Sequence, residues 1–418
     1  MGVHFERARL LLEQSRYEMA QKELHQALAK SPNDAFAHAL LGLCLSYQQQ
    51  YQEATKEAET AIGLAPDSPF SHYIMGFILC ERQRYTTAES SIYQAIRLNP
   101  YQASYFALLA RCKYNQKLWQ EALDAATQGL TLNAENIECL NYRALSLSQL
   151  GRGQEALAAA ESAIAQSPQD AASYASNGWI LLSHGKSPQK ALECFREALR
   201  LNPNLEWARQ GIVEALKAQN PIYRLMLRYF LWSSRLDNRT RWIFTFGLYF
   251  TVRILLVSFA QTGLMPLVLV VVIAYLLFVI LSWIADPLFT LLLRWNKFGR
   301  LALSEKQIQQ SNWWGACFLT AILSLVIWLF TKNMSALLGA IIFGLLLIPI
   351  AAIFHCRQSW TTRVMAIYTI VLVVLGISIL ILSMTSQSLW SLPMSIFFIA
   401  AVVSSWVSTL LAGIKLQK

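Results

Sequence analysis

The chain has 418 residues, 55% hydrophobic and 14% charged; this length allows two to three domains, and a compositional break near residue 218 argues for two. Its net charge of +10 is unevenly held: residues 1–217 carry 20 Lys and Arg against 22 Asp and Glu, a balance of −2, whereas residues 218–418 carry 15 against 3, a balance of +12. The positive charge flanks apolar runs while the soluble half is nearly neutral, so membrane orientation explains it better than a nucleic-acid surface, and no nucleic-acid partner is expected.

From its first residue the chain repeats. In steps of 34, one slot holds Ala20, Ala54, Ala88, Ala122 and Ala156, then Ala191 after one inserted residue near 183–187. A second slot holds Ala27, Ala61, Ala95, Gly129, Ala163 and Ala198, and a third holds Pro32, Pro66, Pro100, Ala134, Pro168 and Pro203. Tyr17, Tyr51, Tyr85 and Trp119 recur at the same period. Small residues let paired helices approach closely, and proline cannot continue a helix, so each block reads as a helix hairpin. This pattern closely resembles the tetratricopeptide repeat, most clearly in HALLGLCLSYQQQYQEATKEAETAIGLAP (38–66) and RYTTAESSIYQAIRLNP (84–100). The resemblance spans residues 1 to about 205. Gly42, Gly76 and Gly178 match the family's glycine, and Ala8, Ala110 and Ala144 replace it. The fourth block is the most irregular, and a local change of curvature is expected there. EWARQGIVEALKAQ, after Pro203, reads as a capping helix over the last apolar face.

The resemblance implies a concave groove lined by the first helix of each block, holding a peptide or helix of a partner protein. Positions on that face at helical spacing carry Phe5, Arg9, Phe36, Tyr47, Phe70, Tyr73, Phe77, Arg111, Tyr114, Asn141 and Trp179. Aromatics crowd into blocks one to three, which suits an apolar or amphipathic segment; several of these rings could instead pack between helices. The chaperone-binding members of the family hold a terminal carboxylate with polar groove residues, and Phe5 and Ala39 stand where those would be needed. His4, His38 and His72 recur every 34 residues but have no Cys or acidic ligand at metal-ligand spacing, so they read as packing residues, and neither a metal nor a cofactor is expected. The seven cysteines form no CxxC and read as reduced residues of a cytosolic domain. Charges in MGVHFERARLLLEQ leave no signal-peptide core.

The repeat array is placed at 1–217 and a basic linker at 218–241. Read as one helix, NPIYRLMLRYFLWSSRLDNRTR sets Arg224, Arg228, Arg235 and Arg239 within about 60° of one another around the axis. Such a rod suits anionic lipid headgroups, with capping of the repeats as the alternative. A transmembrane domain is placed at 242–412, with six apolar runs near 242–260, 264–285, 312–331, 334–354, 364–383 and 389–412. Thirteen Lys and Arg flank these runs on one side and only Lys332 on the other, which puts both termini and the repeats in the cytoplasm. The connection 286–311 is expected to start at Asp286-Pro287 and lie along the interface, with Ser304 and Gln307 forming a capping box. Two small-residue stripes, Ala336/Ala340/Gly344 and Ala400/Ser404/Ser408/Ala412, are expected at helix contacts. Arg253 is the only charge inside a run, and a structural role is expected of it. Ser378 and His355 lie too far apart in depth for a catalytic dyad, so the chain is read as no enzyme. The fold class is all-α: a tetratricopeptide-type α-solenoid followed by a six-helix transmembrane bundle. Its function reads as a membrane-anchored adaptor or scaffold with a protein partner and membrane-lipid contacts, with room for a second, membrane-embedded protein partner. A transporter or lipid-handling protein with regulatory repeats is the alternative.

Overall fold

The computed structural model describes residues 3–413 apart from 185–186, 237, 260–264, 295–302, 356–358 and 386–390. All regular structure among these residues is helical, and the chain divides into two compact units, Met1–Gly211 and Ile212–Lys418.

In the first unit six hairpins follow one another: α1 (Val3–Glu13) with α2 (Tyr17–Lys30), α3 (Ala35–Tyr47) with α4 (Tyr51–Leu64), α5 (Pro69–Glu81) with α6 (Tyr85–Leu98), α7 (Ala103–Asn115) with α8 (Trp119–Leu132), α9 (Ile137–Gln149) with α10 (Gly153–Gln166), and α11 (Ala171–Ser183) with α12 (Pro188–Leu201). Every second helix is 14 residues long. The repeated alanines Ala20, Ala54, Ala88, Ala122, Ala156 and Ala191 are all 0% exposed, so no larger side chain fits where each pair crosses. Within the first five hairpins the turn passes through a left-handed residue: Ser15, Gln49, Gln83, Lys117 and Gly151, with φ between 58° and 83°. The next block opens on a capped helix, with Asp34, Ser68, Asn136 and Asp170 accepting from backbone N–H groups of the first turn. In the irregular fourth block Gly129 makes room for Cys139, whose Sγ would clash with any Cβ at that position.

The array ends on α13 (Glu206–Lys217). Phe195, 0% exposed, fills the last interface edge-on to Trp179 at 5.6 Å. A Cβ on Gly178 would come within 2.7 Å of its ring, and one on Gly211 closer still, so both glycines are there for close approach.

The second unit takes in the end of α13, then α14 (Pro221–Arg235), α15 (Asn238–Phe259), α16 (Met265–Leu293), α17 (Glu305–Thr331), α18 (Met334–His355), α19 (Ser359–Thr385) and α20 (Ser391–Gly413). Among the described residues, three helical stretches are long and apolar enough to cross a membrane: Glu305–Thr331, Met334–Phe354 and Trp360–Thr385. These coincide with three of the six expected runs; the runs at 242–260, 264–285 and 389–412 each take in residues outside the described ones. Half of the most apolar stretch of α18 is buried against 17% of that of α17, so α18 is the centre and α17 turns large side chains such as Leu319, Leu323 and Phe330 outward. Lys332, left-handed at φ 53°, closes the two-residue turn between them with its ammonium 5.0 Å over Trp328.

Two expectations change here. Helix α16 does not stop at Asp286-Pro287 but runs through to Leu293, because Phe289 and Leu293 are buried and Leu288 and Leu291 pack on Trp314. That packing outweighs the backbone hydrogen bond proline removes. The small-residue stripe on α18 is only half-buried and Gly344 has open space beside it. Close contact falls instead at Gly376, where a Cβ would lie 2.7 Å from Ile342; on α20, Ser404 and Ser408 of the second expected stripe are buried. The capping box is formed: Gln307 N–H donates to Ser304 Oγ at 3.3 Å and Ser304 N–H to Gln307 Oε1 at 2.9 Å. Arg253 is exposed on α15.

Candidate functional site: the first-helix face of the repeats

Two aromatic ladders run across the first helices. One links Phe5 to Phe36 (5.6 Å between ring centroids), Phe36 to Phe70 (4.5 Å), Phe70 to Tyr73 (6.3 Å) and Tyr73 to Tyr105 (5.2 Å). The other stacks Tyr17 on Tyr47 at 4.5 Å, Tyr47 against Phe77 at 5.5 Å, and the Arg111 guanidinium over Phe77 at 5.0 Å. Their depths differ. Phe36 and Tyr47 are 40% and 47% exposed; Phe70 and Tyr73 are half-buried; Phe5 and Phe77 are 5% and 8% exposed and belong to the core. The last two are therefore corrected from contact residues to the support beneath the surface, because their positions fall where adjacent hairpins meet. Each exposed ring is braced by a buried one, which leaves little rotamer freedom to lose on binding.

Beyond the rings the face becomes polar. Arg111 pairs with Glu81 and is half-buried. Glu138, on α9, is open to solvent yet closely surrounded; this partial desolvation pushes its carboxyl up, against the lowering effect of Arg111. Burial, and after it charges that include Glu138, also push up the Tyr47 and Tyr73 hydroxyls. Asn141, 7% exposed, donates from Nδ2 to Asp170 Oδ2 at 3.2 Å, while its Oδ1 is buried without a partner. Glu138 and Glu81 were absent from the expected face although both stand on its helical stripe; a search weighted to aromatics passes over them.

The remaining expected residues divide. Arg9 is exposed beside Glu6. Tyr114 is half-buried, edge-on to Trp119 at 5.0 Å, with its hydroxyl accepting from Gln149. Trp179 stacks on Trp207 at 6.3 Å and donates to the Trp207 carbonyl, which makes it part of the closing interface with α13. The histidines tie helices together: His4 and His38 bond Glu23 and Glu57 at 2.7 and 2.6 Å, and His38 and His72 bond the carbonyls of Pro32 and Pro66. The acids missing at short spacing arrive from the second helix, 19 residues on, and the third block has Ser91 there instead.

In the second unit the basic linker is two helices, because the chain turns extended at Leu236 (ψ 142°). Arg224, Arg228 and Arg235 share α14, whereas Arg239 belongs to α15, so the stripe of four on one rod is corrected to three. Arg224 donates to the Ala218 and Gln219 carbonyls, capping the end of α13. One side of α14 packs on α16 through Tyr223 and Tyr229, each 4.9 Å from a phenylalanine ring; another leaves Ile222, Leu225 and Trp232 exposed at helical spacing beside Arg228.

With that geometry in place, the class of the repeat half can be stated: it is a tetratricopeptide repeat array, and the family's model matches residues 5–69 and 143–206. Solved structures with similarity to this chain include YrrB, described as a TPR protein with an unusual peptide-binding site (20% identical, covering 45% of this chain and 96% of that one, TM-score 0.33). Others are PilF of Pseudomonas aeruginosa (19%, covering 52% and 96%, TM-score 0.41) and yeast Tom70 (19%, covering 48% and 43%, TM-score 0.40). A comparison with curated proteins gave no match.

Proposed function

We propose that this protein is a membrane-anchored adaptor that holds a peptide or helix of a partner protein against the first-helix groove of its repeats, on the cytoplasmic side of the membrane. The observation that carries this reading is the braced ladder with Phe36 and Tyr47 projecting from it: rigid rings on a firm base are what a docked segment needs for affinity. The apolar helices of the second unit supply the anchor, and α14 supplies lipid contact, with Arg228 on phosphates and Leu225 and Trp232 in the acyl boundary.

Two experiments test it. A photo-crosslinking residue in place of Leu43, between Phe36 and Tyr47 on α3, should trap one partner segment in intact cells. The pair Phe36→Ala and Tyr47→Ala should abolish the crosslink, at about 2 kcal/mol or more per anchor, with the helix content unchanged. A crosslink that persists in the double variant removes the groove from the function. For orientation, an impermeant maleimide should label Ser386→Cys from outside in a cysteine-free background and fail to reach Cys356 restored alone. The reverse pattern puts the repeats on the wrong side.

A further inference from the structure

The geometry points to a partner segment that sets a lysine or arginine beside its apolar contact residues, with that cation received by Glu138 and the side-chain oxygen of Asn141. This rests on the groove reading above and adds the chemistry of the occupant.

Three observations converge. First, Arg111 is already engaged: it pairs with Glu81 and covers the Phe77 ring, so Glu138 is left without it as an ion-pair partner. No hydrogen bond or ion pair to the Glu138 carboxylate occurs among the described residues. Second, Glu138 and Asn141 are three residues apart on α9, which places them side by side on one face, about 5–6 Å apart at Cβ. Asp170 dictates which way the Asn141 amide faces: its NH2 end goes to that carboxylate, and Oδ1 is left as a buried acceptor with no donor. Third, Asp170, bonded to Asn141, adds negative charge next to the pair, and Glu138 stands on α9 at the repeat position that Phe36 holds on α3, which puts the acid on the first-helix face that bears the ladders. The patch offers acceptors and negative charge from Glu138, Asn141 Oδ1 and Asp170, while the Arg111 guanidinium is shared with Glu81. An acidic segment or a free carboxylate is repelled there; a side chain with several N–H donors and a positive charge fits.

The test is a selection of random peptides displayed on phage against the full-length protein in detergent, run in parallel on Glu138→Gln. The wild-type pool should be enriched in Lys or Arg within one helical turn of an aromatic or large aliphatic residue, and that basic bias should vanish from the Gln pool. A synthetic peptide from the wild-type pool should bind Glu138→Gln about tenfold more weakly. Enrichment in Asp or Glu, or equal affinity for both forms, overturns the inference. The variant Phe36→Ala/Tyr47→Ala separates the two levels: if it loses the peptide while Glu138→Gln keeps full affinity, the groove stands and the cation falls. If no peptide is enriched, or if the peptide still binds the double variant, both fall.

Discussion

Phe195→Ala should weaken the end of the repeat array by about 3–5 kcal/mol, the usual cost of emptying a fully buried aromatic site. The site cannot collapse easily, since Gly178 and Gly211 offer no side chains to move in and Trp179 is held by its bond to the Trp207 carbonyl. Each repeat contacts only its neighbours, so the loss should be local. Hydrogen exchange should speed up in α11 to α13 and stay unchanged in α1 to α6; uniform acceleration along the array, or none, would show that Phe195 does not clamp its end.

The second large effect is expected from Lys217→Met. The Lys217 side chain is 1% exposed, and its Nζ lies 2.5 Å from Asp286 Oδ1 and 3.3 Å from Glu214 Oε1. Tyr223 completes the group by donating to Glu214 Oε2 at 2.6 Å and stacking edge-on against Phe289. Removing the cation leaves two carboxylates without their partner, which in buried settings costs about 3–5 kcal/mol; Asp286 is half-exposed, so the lower end applies. Thermal unfolding of the second unit should shift down accordingly, and adding Asp286→Asn to the Lys217→Met variant should recover part of the loss. Burial alone would lower the Lys217 pKa, but Glu214 and Asp286 outweigh it and hold it raised. The contribution is therefore complete below lysine's ordinary pKa and is lost only as pH rises through the higher folded value. A variant as stable as the parent at neutral pH would show that the cluster contributes nothing.

Much of the fold is legible in the residues themselves. The alanine slots work because helix crossing tolerates one size of side chain, so a 34-residue period in small residues is nearly a statement of packing. The Ser304–Gln307 box is equally local. What escapes is whatever depends on depth or on a distant partner. Periodicity assigns Phe77 and Tyr47 to one face yet cannot tell that the first is buried and braces the exposed second. Asp286-Pro287 carries a local stop signal that distant Trp314 overrules. The ties from His4 and His38 to Glu23 and Glu57 become visible only once the hairpin folds back.

Among the described residues of the repeat array, four of the five left-handed turn positions are Ser15, Gln49, Gln83 and Lys117, and only Gly151 matches its conformation without strain. A side chain held there costs roughly 1 kcal/mol or somewhat more relative to glycine. The array thus carries a small strain at four joints spaced one block apart, each confined to its own hairpin and all within the first four of the six. Relaxing any one of them with glycine removes that strain from a single hairpin and leaves its neighbours as they were.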